Sequence, residues 1–222
     1  MVVFRSLFVA FSLVMFVFAN NVVASENHAE SEKVKQYVTK LSDDVLGVIA
    51  QKGISDAAKE AKLKEIFVAS VDSKWMGKFV LGKYRRTATD EQIGKYMPLY
   101  NDYLIYTYIP KFRQYSGETY EILRVKRNDD GEFVVNIELK GVDDNPDLRV
   151  DYRLIKNSKG EYKLIDIVGE GISLITTQRS DFGGLISKKG LDYFIGKLEK
   201  KVKKLSSGEA ADKSTATKQA KS

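Results

Sequence analysis

The 222-residue sequence has no cysteine and a single histidine. The missing thiol excludes a lipoprotein anchor, a disulfide framework, a cysteine nucleophile and thiolate metal sites. The one histidine, His28, stands in a polar segment near the N-terminus. Ser-His-Asp and Cys-His catalysis and histidine-based zinc sites are therefore not expected. No glycine-rich loop leads into a helix as a phosphate cradle would, and Gly82, Gly169, Gly171, Gly183 and Gly184 are read as turn and close-packing positions. The densest acidic cluster, Asp143, Asp144 and Asp147, lacks the spacing of a calcium loop and is read as a plain turn. The apolar stretch Leu7 to Phe18 is shorter than the ~20 residues needed to cross a bilayer. It follows the basic end Met1 to Arg5 and precedes Val22-Val23-Ala24, so residues 1–24 read as a cleavable secretory signal.

Basic excess is also missing from the body of the chain. The whole sequence carries 36 basic and 30 acidic residues, and the leader holds one of the basic ones, Arg5. Residues 197–222 contain eight lysines against Glu199, Glu209 and Asp212, which leaves residues 25–196 formally neutral. Nucleic acid is not an expected partner. Apolar residues at helical spacing persist through Leu205, whereas residues 206–222 are Ala, Ser, Thr and Lys without periodicity and read as a disordered tail. Residues 25–205 are then one domain.

Along that domain, helical patterns come first, strand patterns second and helices again last, an α+β order with an antiparallel sheet. Residues 30–51 carry an apolar stripe (Val34, Tyr37, Val38, Leu41, Val45, Leu46, Ile49) ended by Gly53. Ser55 caps an expected helix over 56–70, and a shorter one follows over 72–82. Thr89 with Gln92 has the form of a capping box and starts a tyrosine-rich helix to about Tyr115, with a kink or break expected near Pro98 and Pro110. From Gly117 the period changes to two. Strands are expected over 118–127, 132–140, 148–157 and 161–168, giving four strands, or five, with one apolar face. The expected covers for that face are the tyrosine-rich helix and the segment 171–205.

Two stretches carry more than pattern. The first runs Phe79-Val80-Leu81-Gly82-Lys83-Tyr84-Arg85-Arg86-Thr87-Ala88-Thr89, passes through the Gln92 to Tyr115 helix, and ends Tyr115-Ser116-Gly117-Glu118-Thr119-Tyr120. The second runs Asp166-Ile167-Val168-Gly169-Glu170-Gly171-Ile172-Ser173 and on through Leu174-Ile175-Thr176-Thr177-Gln178-Arg179-Ser180-Asp181 to Phe182, and Lys189-Gly190-Leu191-Asp192 follows it. Together they resemble the MlaC, or toluene-tolerance, family of periplasmic phospholipid-binding proteins. Arg85 and Arg86 depart from it, standing where an aromatic often follows the tyrosine.

The resemblance implies a carrier without catalytic residues or cofactor, whose cargo is phospholipid held in a cavity between sheet and helices. It also implies partners: an inner-membrane ABC transporter complex, an outer-membrane lipoprotein–porin complex, and transient proximity to the membrane. The expected lining is Val80, Leu81, Tyr84, Tyr100, Leu104 and Tyr108 from the helices, Val135, Ile137, Val150, Tyr152 and Ile167 from the sheet, and Ile172, Leu174, Ile175 and Phe182 from the closing segment. Arg85, Arg86 and Arg179 are expected near the headgroup phosphate. A larger aromatic at Val135 or Val150 should then displace cargo without unfolding the protein. Two alternatives remain at this point: a carrier of another hydrophobic molecule such as a hopanoid, and a small α+β hydrolase using Glu170 and Asp166.

Overall fold

The computed structural model describes residues 28–114, 117–141 and 146–207. The expected leader, the tail from residue 208, Tyr115 and Ser116 of the family pattern, and Asp143 and Asp144 of the acidic turn lie outside the described residues.

The chain opens with helix α1 over 28–50. Helix α2 (Asp56–Ser70) starts where the Ser55 side chain accepts from the Ala58 amide at 3.2 Å. Helix α3 (Ser73–Leu81) starts where Asp72 accepts from the Trp75 amide at 2.8 Å, and it ends at Gly82, whose φ of 54° suits a residue without Cβ. Helix α4 (Asp90–Tyr108) begins with the reciprocal Thr89–Gln92 box. Pro98 lies inside α4 without interrupting it, because its exposed ring costs one backbone hydrogen bond while Tyr96, Tyr100 and Leu104 hold the opposite face in the core. Near Pro110 the expected change does occur, and Ile109–Gln114 tightens into a 3₁₀ turn.

Five antiparallel strands follow in sequence order: β1 (Thr119–Arg127), β2 (Phe133–Lys140), β3 (Leu148–Lys156), β4 (Tyr162–Gly169) and a two-residue β5 (Ile172–Ser173). Val135 lies opposite Val125 and Tyr152, Ile137 opposite Val150, and Tyr152 opposite Ile167, so these side chains share one face. The β4–β5 turn is Glu170-Gly171, with φ of 49° and 79°. Two consecutive positive values make a tight hairpin whose twist matches the strands. Helices α5 (Leu174–Lys189) and α6 (Leu191–Ser206) complete the fold.

The expected cover of the sheet needs correction. The apolar face is covered first by α1, which buries Val34 and Val38 against Phe133, Val135, Ile137, Leu154 and Leu164. The tyrosine-rich α4 instead joins α3, α5 and α6 in a separate helical core containing Met76, Val80, Leu81, Tyr96, Tyr100, Leu104, Ile175, Ile186 and Phe194. Gly77 explains how tightly that core closes. A Cβ there would lie 3.0 Å from the Tyr100 ring and 3.1 Å from the Met97 methyl, so its absence lets α3 approach α4. A third cluster gathers Leu63, Ile105 and Ile109 with Val45, Val48 and Ile49 of α1. The helical and sheet layers are tied where Val71 bridges Leu164 and the Asp72 amide donates to the Leu164 carbonyl at 3.0 Å.

Candidate functional site

The three packed clusters touch only through a few shared side chains, Val71, Phe67 and Tyr106, and they surround a cavity of about 970 Å³. All three contribute to its wall: Met76 and Leu104 from the helical core, Ile137 and Leu164 from the sheet, Leu63 and Ile109 from the third cluster. The second half of α1 adds Leu41, Val45, Leu46 and Ile49, and α2 adds Ile66 and Phe67. This geometry follows from length. A helix over 28–50 is about 35 Å long at 1.5 Å per residue and runs along β1, with Glu30 at Arg127 near one end of the strand and Asp43 accepting from Tyr120 near the other, so the last two turns of α1 lie beyond the sheet. The N-terminal half of α1 covers the sheet, and its remaining apolar stripe overhangs the gap.

Of the residues expected on the wall, Leu104, Tyr108, Ile137, Tyr152, Ile167, Ile172 and Leu174 line the cavity. The others are placed elsewhere. Val80, Leu81, Tyr100 and Ile175 fill the helical core, with Tyr84 and Phe182 half-buried against it, because the close approach of α3 to α4 leaves no space there. Val135 is fully buried between the sheet and α1, and Val150 is buried without lining the cavity, although its neighbours Ile137, Gly169 and Tyr152 do. An enlarged side chain at Val135 would therefore strain a closed core, not displace a ligand. Arg85, Arg86 and Arg179 do not reach the cavity. The first two are exposed on the 3₁₀ turn Gly82–Arg86, and the Arg179 guanidinium stacks 4.9 Å over the Phe79 ring beside Gly82.

The cations on the wall are Lys111 and Lys140. Lys140 is committed to Glu138 and, at 3.0 Å, to Asp147, which holds its ammonium pKa up and lowers that of Asp147. The Lys111 ammonium lies 5.3 Å from the centre of the Tyr108 ring and has no carboxylate partner among the described residues. Sequence reasoning missed Lys111 and the α1 and α2 wall, since it assigned those apolar stripes wholly to packing. The available signal was the length of the α1 stripe, which continues to Ile49.

Polar atoms in the wall are few and mostly engaged. Burial pushes the Tyr108 and Tyr152 phenols up, so both are neutral at physiological pH. Tyr108 accepts from Gln178 at 3.3 Å, and buried Gln178 accepts from Tyr100 at 2.7 Å. The Tyr120 hydroxyl donates to Asp43 of α1 at 2.8 Å. The two carboxylates a hydrolase would use both hold backbone. Fully buried Asp166 accepts from Ser173 Oγ at 2.6 Å and from the Ile175 amide at 3.2 Å, fixing the start of α5. Glu170 accepts from the Arg149 amide at 3.0 Å, while its own amide donates to the Arg149 carbonyl at 3.1 Å.

Comparison with known proteins bears on this cavity. Residues 39–200, well over half of the chain, match the model of the family described as MlaC protein. The chain is similar to the intermembrane phospholipid transport system binding protein MlaC of Haemophilus influenzae, with 25% identity over 132 residues; the match spans 58% of this chain and 61% of that relative's length. Its fold is similar to that of a phospholipid-binding protein from Ralstonia solanacearum solved in complex with a phospholipid, with a TM-score of 0.65, 24% identity, and coverage of 76% of this chain and 96% of that one. A five-stranded meander, the helices around it and a family model running from α1 to α6 agree, and the chain belongs to the MlaC family.

Proposed function

We propose that the protein is a periplasmic carrier that holds one phospholipid in the cavity and passes it between an outer-membrane lipoprotein–porin complex and an inner-membrane ABC transporter complex. The observation that carries this reading is the size and character of the cavity. A water molecule's share of liquid volume is ~30 Å³ and a methylene is of similar size, so about 970 Å³ accommodates roughly thirty methylenes, the tails of one diacyl lipid. Exposing that many methylenes to water costs more than ~20 kcal/mol at ~0.8 kcal/mol each. A wall built from Leu, Ile, Val and Phe removes this cost, and the mouth leaves the headgroup in solvent. The partners and the periplasmic location rest on the family and on the leader read from the sequence; residues 25–205 are the lipid-binding domain.

Organic extraction of the purified protein followed by mass spectrometry tests the reading. Glycerophospholipid at a near-equal molar ratio is the expected result. A polycyclic triterpenoid instead would assign a different cargo to the same cavity, and protein free of any lipid would refute the carrier.

A further inference from the structure

The described residues include seven exposed large apolar side chains, and four of them belong to the cavity wall: Phe112, Leu148, Ile167 and Ile172. Ile172 is the most exposed, at 68%. Phe112 comes from the 3₁₀ turn after α4, Leu148 opens β3, and Ile172 forms β5, so two separate parts of the fold bring apolar side chains to one mouth. The presentation of Ile172 is built in. The Glu170-Gly171 turn that precedes it holds a non-glycine residue at φ 49°, and two hydrogen bonds to the Arg149 backbone pin that turn beside Leu148. Lys111, the neighbour of Phe112, is exposed and free of carboxylate partners among the described residues.

We propose that this mouth docks directly on a lipid bilayer, with Phe112, Leu148 and Ile172 entering the boundary between headgroups and acyl chains and Lys111 meeting lipid phosphate. The proposal rests on the lipid-carrying function proposed above and adds to exchange with the protein complexes a direct route between bilayer and cavity. An aromatic and a lysine beside aliphatic side chains is the composition that settles at a membrane interface. The rim suits brief contact with a fluid surface. Because it is continuous with the cavity, an acyl chain can pass from bilayer to wall without crossing water.

The test uses the full-length protein stripped of lipid and vesicles of phosphatidylethanolamine and phosphatidylglycerol containing a fluorescent phospholipid. Co-flotation with the vesicles and uptake of the label report docking; binding of monomeric dihexanoyl phosphatidylcholine reports the cavity separately. The wild type is expected to float with vesicles and to take up label with no other protein present. Both Leu148 and Ile172 are exposed enough to accept a carboxylate, and Leu148→Asp with Ile172→Asp is expected to slow uptake by about tenfold or more, well beyond any weakening of monomer binding. Replacing Lys200, Lys201 and Lys204 of α6 by Gln should leave uptake unchanged. A wild type that binds monomeric lipid but neither floats nor takes up label would overturn the docking and leave the carrier standing. Failure to bind monomeric lipid as well would remove both. Vesicle binding that survives the rim substitutions but is lost when Lys200, Lys201 and Lys204 are replaced by Gln would place the contact on α6 and also overturn the proposal.

Discussion

Substituting Leu46→Trp probes the cavity where the structure leaves room for it. Leu46 lies on the second half of α1, faces the cavity, and belongs to none of the three packed clusters. An indole there enters empty space without moving a packed neighbour. Its bulk displaces two or three methylenes of cargo, and at ~0.8 kcal/mol each the loss is about 1.6–2.4 kcal/mol, roughly fifteen- to sixtyfold in affinity. Titration with a fluorescent phospholipid measures this, and a thermal melt run in parallel should show little change. The contrasting substitution is Val135→Trp, at a fully buried position in the sheet core, where overpacking costs ~1–3 kcal/mol of stability. If Leu46→Trp bound lipid as tightly as the parent, the second half of α1 would not be a cavity wall and the placement of the site would be wrong.

Three further outcomes are expected. Tyr100→Phe removes the donor to the buried Gln178 carbonyl oxygen and should lower stability by about 1–3 kcal/mol, read as a reduced urea midpoint; an unchanged midpoint would show that the Tyr100–Gln178–Tyr108 chain holds nothing. Burial pushes the phenols of Tyr96, Tyr100, Tyr103, Tyr108 and Tyr152 above their ordinary value near 10. The unfolded chain therefore releases protons that the folded chain retains. Stability should be intact below pH 10 and fall above it, by up to ~1.4 kcal/mol per pH unit for each retained proton, with phenolate absorbance appearing together with unfolding. Glu30 is held below the ordinary carboxylate value by its hydrogen bond to Lys156, aided by the charges of Lys156 and Arg127. Glu30→Gln should lose about 1 kcal/mol or less at neutral pH. That difference should vanish as acid protonates the parent's carboxylate, a trend that denaturation at a series of pH values will show.

Helix starts were legible because a cap is a local event. Ser55, Asp72 and Thr89 each accept from an amide three residues on, and only neighbouring residues decide that. The strands were legible for a similar reason: alternation along Phe133 to Leu139 marks a face whatever lies opposite. The short β5 was weaker, since two residues carry no period and of the Glu170-Gly171 turn only Gly171 stood out as a turn position.

Element order, the antiparallel sheet and its apolar face are readable along the chain, because each follows from neighbours within a few positions. Which apolar stripes meet another side chain and which meet empty space emerges only when distant elements pack. Val80 and Leu46 look alike as members of helical stripes, but Gly77 draws α3 onto α4 and buries one, while the overhang of α1 beyond the sheet leaves the other facing the cavity. Periodicity records that a side chain avoids water; whether protein or a void lies across from it depends on how closely distant elements approach, which local sequence does not encode.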